Sequence, residues 1–220
     1  MIDPKTFTFL NDLSENNTRD WFNSNKNEHD SSRNNVLNFV SELITELAAI
    51  DKEVPEDLKP KDCVMRIYRD IRFSLDKTPY KTNFGIGISP FGKKFKGPGY
   101  YVHIEPGKSF VAGGFWFPEA NELKAIRQEI DYNYSQFEDI IQNKAFENYF
   151  SELDREGALK TTPKGYPSDH PNIQFLKLKS FTASHSLSNQ ELTQPDAAKK
   201  VAEGFANLYP LIQFLRNAII

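Results

Sequence analysis

Apolar and polar positions alternate with three different rhythms along this chain. Phe7, Phe9, Leu10 and Leu13 open with a short helical pattern. Asn16-Asn17-Thr18 interrupts it, and Asn17 or Thr18 can cap a following helix by accepting a backbone N–H bond. Val36, Leu37, Val40, Leu43, Ile44 and Leu47 then recur at steps of three and four, one apolar helix face, before Pro55 and Pro60 mark a loop. The middle third changes period. Residues 63–68 read as a short β-rich segment. Thr82, Phe84, Ile86 and Ile88 alternate with Asn83, Gly85, Gly87 and Ser89, a period of two. Residues 100–105 and 109–117 repeat the strand pattern after Gly/Pro turns, which predicts an antiparallel meander.

Helical spacing returns in residues 119–130 and 137–150, followed by a loop holding Pro163, Gly165, Pro167 and Pro171. Residues 177–185 suggest another strand. Pro195 suits the first turn of a last helix whose stripe is Ala198, Val201, Phe205, Leu208, Ile212, Leu215 and Ile219, with a kink expected at Pro210. The expected fold class is α+β: a single domain over residues 1–220, an antiparallel β meander packed with N-terminal and C-terminal helices.

The 220 residues are 39% hydrophobic and 26% charged, enough to bury a core. Eighteen phenylalanines and nine tyrosines supply that core, with some to spare for a pocket wall. Cys63 is the only cysteine, which rules out an internal disulfide and a cysteine-rich metal site. The opening Met-Ile-Asp-Pro-Lys has no apolar signal core, and no run approaches the ~20 apolar residues of a membrane span. No membrane association is expected, and the cytoplasm is the expected location.

The net charge is −3, which disfavours a protein that coats nucleic acid through its whole surface. Residues 66–81 depart from that balance. They hold Arg66, Arg69, Arg72, Lys77 and Lys81 against Asp70 and Asp76, a local excess of three positive charges. Arginine forks suit phosphate or carboxylate. Tyr68, Thr78 and Tyr80 add hydroxyls, and Pro79 stiffens the turn. One reading is an anion site using Arg66, Arg69, Arg72, Lys77, Tyr80 and Lys81. The other is a structural network in which the arginines pair with Asp70, Asp76 and glutamates elsewhere, since an unpaired buried charge is costly.

The same stretch resembles a known family, the one called domain of unknown function twenty-four sixty-one. The matching residues are Asn16-Asn17, Arg19, Trp21-Phe22, the run from Arg66 to Phe73, and Asp76 to Lys81. Gly99-Tyr100-Tyr101, Gly113-Gly114, Pro163 to Gly165 and Asp169-His170-Pro171 match as well. The resemblance covers nearly the whole chain. It implies a single-domain fold and no particular activity. Many members have an aromatic residue near the position of His29.

Other candidates are weaker. Tyr101, His103 and Glu105 share one strand face, so His103 and Glu105 are the catalytic candidates if chemistry occurs, or simply an ordinary polar sheet face. Asp169-His170 is explained by Asp169 capping a short helix with Pro171 in its first turn. Trp21 is expected in the core. Gly85, Gly87, Gly113 and Gly114 invite close packing by a helix or a ligand. There is no phosphate loop, no Gly-x-Gly-x-x-Gly after a strand, no His-Glu-x-x-His and no nucleophile elbow, so neither a cofactor nor a reaction is specified. Three functions remain open. The chain binds a small anionic ligand, with or without catalysis. Or it is a nucleic-acid-binding module in which the same cations join Lys93, Lys94 and Lys96 along a backbone and Tyr68, Tyr80 or Tyr100 stacks on bases. Or it is a protein-interaction domain with structural arginines.

Overall fold

Residues 1–94 and 97–220 are described by the computed structural model, and Lys96 lies outside them. The N-terminal helices are α1 (Pro4–Glu15), α2 (Arg19–Ser24), α3 (Lys26–Ile50) and the single turn α4 (Pro60–Cys63). Strands β1 (Phe84–Ile88), β2 (Gly99–Ile104) and β3 (Ser109–Phe115) follow, with a tight 3-10 turn at Gly92–Lys94. Then come α5 (Ala120–Tyr132), α6 (Tyr134–Ile141), α7 (Lys144–Phe150), α8 (Ile173–Leu176), β4 (Phe181–Leu187), α9 (Asn189–Leu192) and α10 (Ala197–Ala218). The four strands make one antiparallel sheet in the order β1-β2-β3-β4, and the fold class is α+β.

Local chemistry explains the helix starts. Asp3 accepts the Lys5 N–H at 2.8 Å with Pro4 in the first turn of α1, and Thr18 accepts the Trp21 N–H at 3.3 Å to open α2. Glu119 and Glu122 form a reciprocal capping box at α5. Asp169 caps nothing: α8 begins four residues later, with Asn172 at its cap position. Helix α10 runs through Pro210, and Pro195 precedes its first turn instead of entering it.

Two compact units are present. One comprises the described residues of Met1–Phe95, Tyr101–Val111 and Ser186–Glu203. Its core holds Phe7, Leu10 and Leu13 of α1 and Val36, Phe39, Val40, Leu43 and Leu47 of α3, all buried. Phe39 takes the place expected for Leu37. Phe22 is buried where Trp21 was expected, and Trp21 stays half-exposed, stacked on Phe9 at 6.2 Å. In the other unit Phe137 packs between Phe175 (5.3 Å) and Phe214 (5.4 Å). There Gly113 gives way to Leu208 of α10, which a Cβ would strike, and Gly114, at φ +119°, lies against the Phe181 carbonyl. These glycines admit the protein's own packing.

Among the described residues no helix is long and apolar enough to cross a membrane. No three His, Cys, Asp or Glu side chains among them cluster as a metal site would require.

Candidate functional site: a cation-lined pocket

Residues 63–68 do not form the regular strand that their composition suggests. Cys63 closes α4, and the chain then runs antiparallel to residues 79–86 through bridges Val64–Ile86 and Tyr68–Tyr80. The Met65 N–H donates to the Gly85 carbonyl at 2.9 Å, whereas the Lys81 N–H donates to the Ile67 carbonyl at 2.8 Å. Residues 65–67, three on one side, thus face residues 81–85, five on the other. Thr82 and Asn83 bulge out opposite Arg66, and the period-two run starts at Phe84, not Thr82. Bulges re-aim side chains and recur near functional sites. The hairpin is pinned from α1–α2: the Asn17 carboxamide donates to the Tyr80 carbonyl (2.9 Å) and accepts the Tyr80 N–H (3.1 Å).

Beside this bulge lies a cavity of about 580 Å³. Five cations line it: Arg33 from α3, Lys61 from α4, Arg66, Lys81, and Lys93 from the tight turn. Among the described residues that line it, none is acidic. Lys93 is held in place by donating to the carbonyls of Lys61 (2.8 Å) and Val64 (2.5 Å) at the C-terminal end of α4. Burial pushes the Lys81 ammonium below its usual range, and the positive charge of Arg66 pushes the same way. Burial likewise lowers Lys93, against a smaller opposing pull from Asp62. Cationic groups disfavoured by burial and by one another favour an arriving anion.

The apolar part of the wall comprises Val64, Met65, Ile67, Tyr68 and Phe84. His29 also lines the cavity and behaves as an aromatic residue. Its ring lies 4.9 Å from Phe22, 5.8 Å from Phe9 and 6.4 Å from Phe84. Burial lowers its pKa, while its 2.9 Å contact from Nδ1 to Asp30 works in the opposite direction. Tyr80 is 4% exposed and stacks on Phe22 at 4.0 Å, behind the pocket wall. Cys63 is buried beneath, its thiol pushed up to about 11 by burial. Gly85 and Gly87 are covered by the protein itself: a Cβ at Gly85 would lie 2.9 Å from Tyr101 Oη, and one at Gly87 3.3 Å from the Lys93 backbone.

The sequence candidates therefore separate. Arg66 and Lys81 meet in the pocket. Arg69, Arg72 and Lys77 fold back on their own loop, residues 70–78. Arg69 donates to Asp76 (2.5 Å) and to the carbonyl (3.2 Å) and hydroxyl of Thr78. Asp76 also accepts the Thr78 N–H at 2.9 Å. That bond, then Arg69, brings its carboxyl down to about 2. Arg72 grips Asp70 through two bonds of 3.0 and 2.7 Å, and Lys77 donates to the Ile71 carbonyl at 2.9 Å. Arg33 and Lys61 enter the pocket without a sequence signal of their own. The nearest clue is that Arg33 sits four residues after His29, on the same face of α3.

His103 and Glu105 lie elsewhere in the same unit. His103 Nε2 meets Glu105 at 2.9 Å, its Nδ1 meets the Tyr101 hydroxyl at 3.1 Å, and its ring stacks on Phe110 at 4.8 Å. Thr82 donates to the other oxygen of Glu105 at 3.3 Å. Both imidazole nitrogens are thus engaged within the protein. In the other unit His170 pairs with Asp131 at 2.8 Å instead of its neighbour Asp169, and its Nδ1 accepts the Asn172 N–H at 3.1 Å.

Residues 5–214 match the family model described as "Conserved hypothetical protein (DUF2461)". No curated protein and no solved structure matches the chain.

Proposed function

The chain belongs to this family of conserved hypothetical proteins, DUF2461, and we propose from the pocket itself that it binds a small anionic ligand bearing phosphate or carboxylate. One observation carries the reading: among the described residues, five cations and no acid line a single cavity in a chain whose net charge is −3. Cations gathered with acids alongside would be a structural network, but here the lining has none. Arg66 offers a planar fork and Lys61, Lys81 and Lys93 offer point charges, a mixture suited to oxyanions. The volume falls within the range of ~300–1,000 Å³ common to small-molecule sites. The cations come from four separate parts of the chain around one cavity, which suits a compact ligand better than a polymer backbone. Of the residues singled out from sequence, Arg66 and Lys81 are the proposed ligand contacts, joined by Arg33, Lys61 and Lys93.

Calorimetric titration with phosphate, pyrophosphate and citrate tests this. The double variant Arg66→Ala/Lys81→Ala is expected to lose about 10²–10⁴-fold in affinity for the best of the three, two charge-assisted bonds' worth. It should remain folded, because no acid is stranded. Arg72→Ala/Lys77→Ala should keep full affinity. Failure of all three anions to bind, or equal binding by the pocket variant, overturns the proposal.

A further inference from the structure

Resting on the anion-site reading, we infer that the ligand is a nucleotide, with its phosphates on the cations and its base against Tyr68. Tyr68 lines the same cavity as the five cations and is 54% exposed. Its ring meets Tyr80 (5.5 Å) and Phe22 (6.4 Å) at tilted angles and has no stacked partner among the described residues. An aromatic ring held on one side by a packed cluster and open on the other is a stacking platform, and every base has a face to lay on it.

The spacing fits. Arg66 and Tyr68 are two residues apart, both are exposed, and both line the cavity. Lys81 sits next to Tyr80, the bridge partner of Tyr68. A phosphate held by Arg66 and Lys81 would share one cavity with the Tyr68 ring. Of the apolar wall, Val64 and Ile67 are buried and Met65 is half-exposed, a surface that a bare oxyanion has nothing apolar to lay against. It suits the edge of a base or the carbon face of a ribose.

ADP, ribose 5-phosphate and pyrophosphate are the probes, titrated into the intact chain and into Tyr68→Ala, Tyr68→Phe and Arg66→Ala. ADP should bind the native protein more tightly than either of the other two. Tyr68→Ala should weaken ADP by about 5- to 150-fold, the range of one base–aromatic stack, and leave pyrophosphate unchanged. Tyr68→Phe should restore ADP binding, and Arg66→Ala should weaken all three probes. As a second readout, the emission of Tyr68→Trp should be quenched by ADP and not by ribose 5-phosphate. If pyrophosphate binds and neither Tyr68→Ala nor Tyr68→Trp tells ADP from it, the nucleotide inference fails while the anion site stands. If Tyr68→Ala weakens ADP and pyrophosphate equally, Tyr68 is structural and the inference also fails. If no probe binds the native chain, the anion-site reading fails and takes this inference with it.

Discussion

The base and the tip of one hairpin use the same residue types to opposite ends. At the tip, Arg69 and Arg72 each hold an aspartate, so their charges are consumed in shaping the loop, and Lys77 is tied to a carbonyl there. At the base, Arg66 and Lys81 share a cavity with three more cations and no lining acid. Charge density along a sequence therefore says little about which charges are available. The interleaved acids decide it: Asp70 and Asp76 lie within the tip, and the base contributes none. Asp70 feels some pull from Arg66, but its bonds are to Arg72.

The contrast can be broken outright by giving the base an acid. Lys81→Glu would supply Arg66 with the partner that Arg69 and Arg72 already have. Pyrophosphate binding should fall below calorimetric detection, further than with alanine, while the melting temperature holds or rises. Retained binding would mean that the base cations are not the site. A middle-sized effect comes from Asn17→Ala, which removes both bonds to Tyr80 and so loosens the base without touching the tip. Two part-buried hydrogen bonds are worth about 1–3 kcal/mol, a fall in melting temperature of roughly 2–4 °C for each kcal/mol. Anion affinity should weaken with it, and an unchanged melting curve would remove the clamp from the account.

The smallest effect sharpens the comparison through pH. His29 at the base has a folded pKa below 6.5, so as pH falls below 6.5 the unfolded chain takes up the proton first and stability drops. Asp76 at the tip has a folded pKa of about 2 against 3.8, so its contribution is full above 3.8 and is lost as pH falls toward 2. His29→Phe should flatten the first step of an acid melting series, and Asp76→Asn should flatten only the second. The phenylalanine ring fits a site already walled by Phe9, Phe22 and Phe84. An unaltered first step in His29→Phe would assign that step to another group.

Much of the fold was legible because it follows from periodicity. The α3 stripe and the strands near residues 84, 100 and 110 appear where their patterns predict, and the antiparallel meander with them. The site was legible only in part. Composition pointed to residues 66–81, but which cations would be released from pairing depends on the Thr82-Asn83 bulge, a register slip that no alternation pattern encodes. Arg33 and Lys61 reach the pocket because α3 and α4 pack there, a long-range outcome with no local signature. Asp131 finds His170 from 39 residues away, a pairing with no local signal in the sequence.

The chain segment that presents Arg66 has a second consequence. β1 is the outermost strand of its sheet, and such a strand offers unpaired backbone groups to any other extended chain, the usual opening for aggregation. Val64 and Met65 occupy part of that edge, and the Asn17 carboxamide satisfies the backbone of Tyr80 further along the same line. The proposed binding segment thus doubles as a guard against self-association. A substitution that peels it away would surrender solubility along with the pocket.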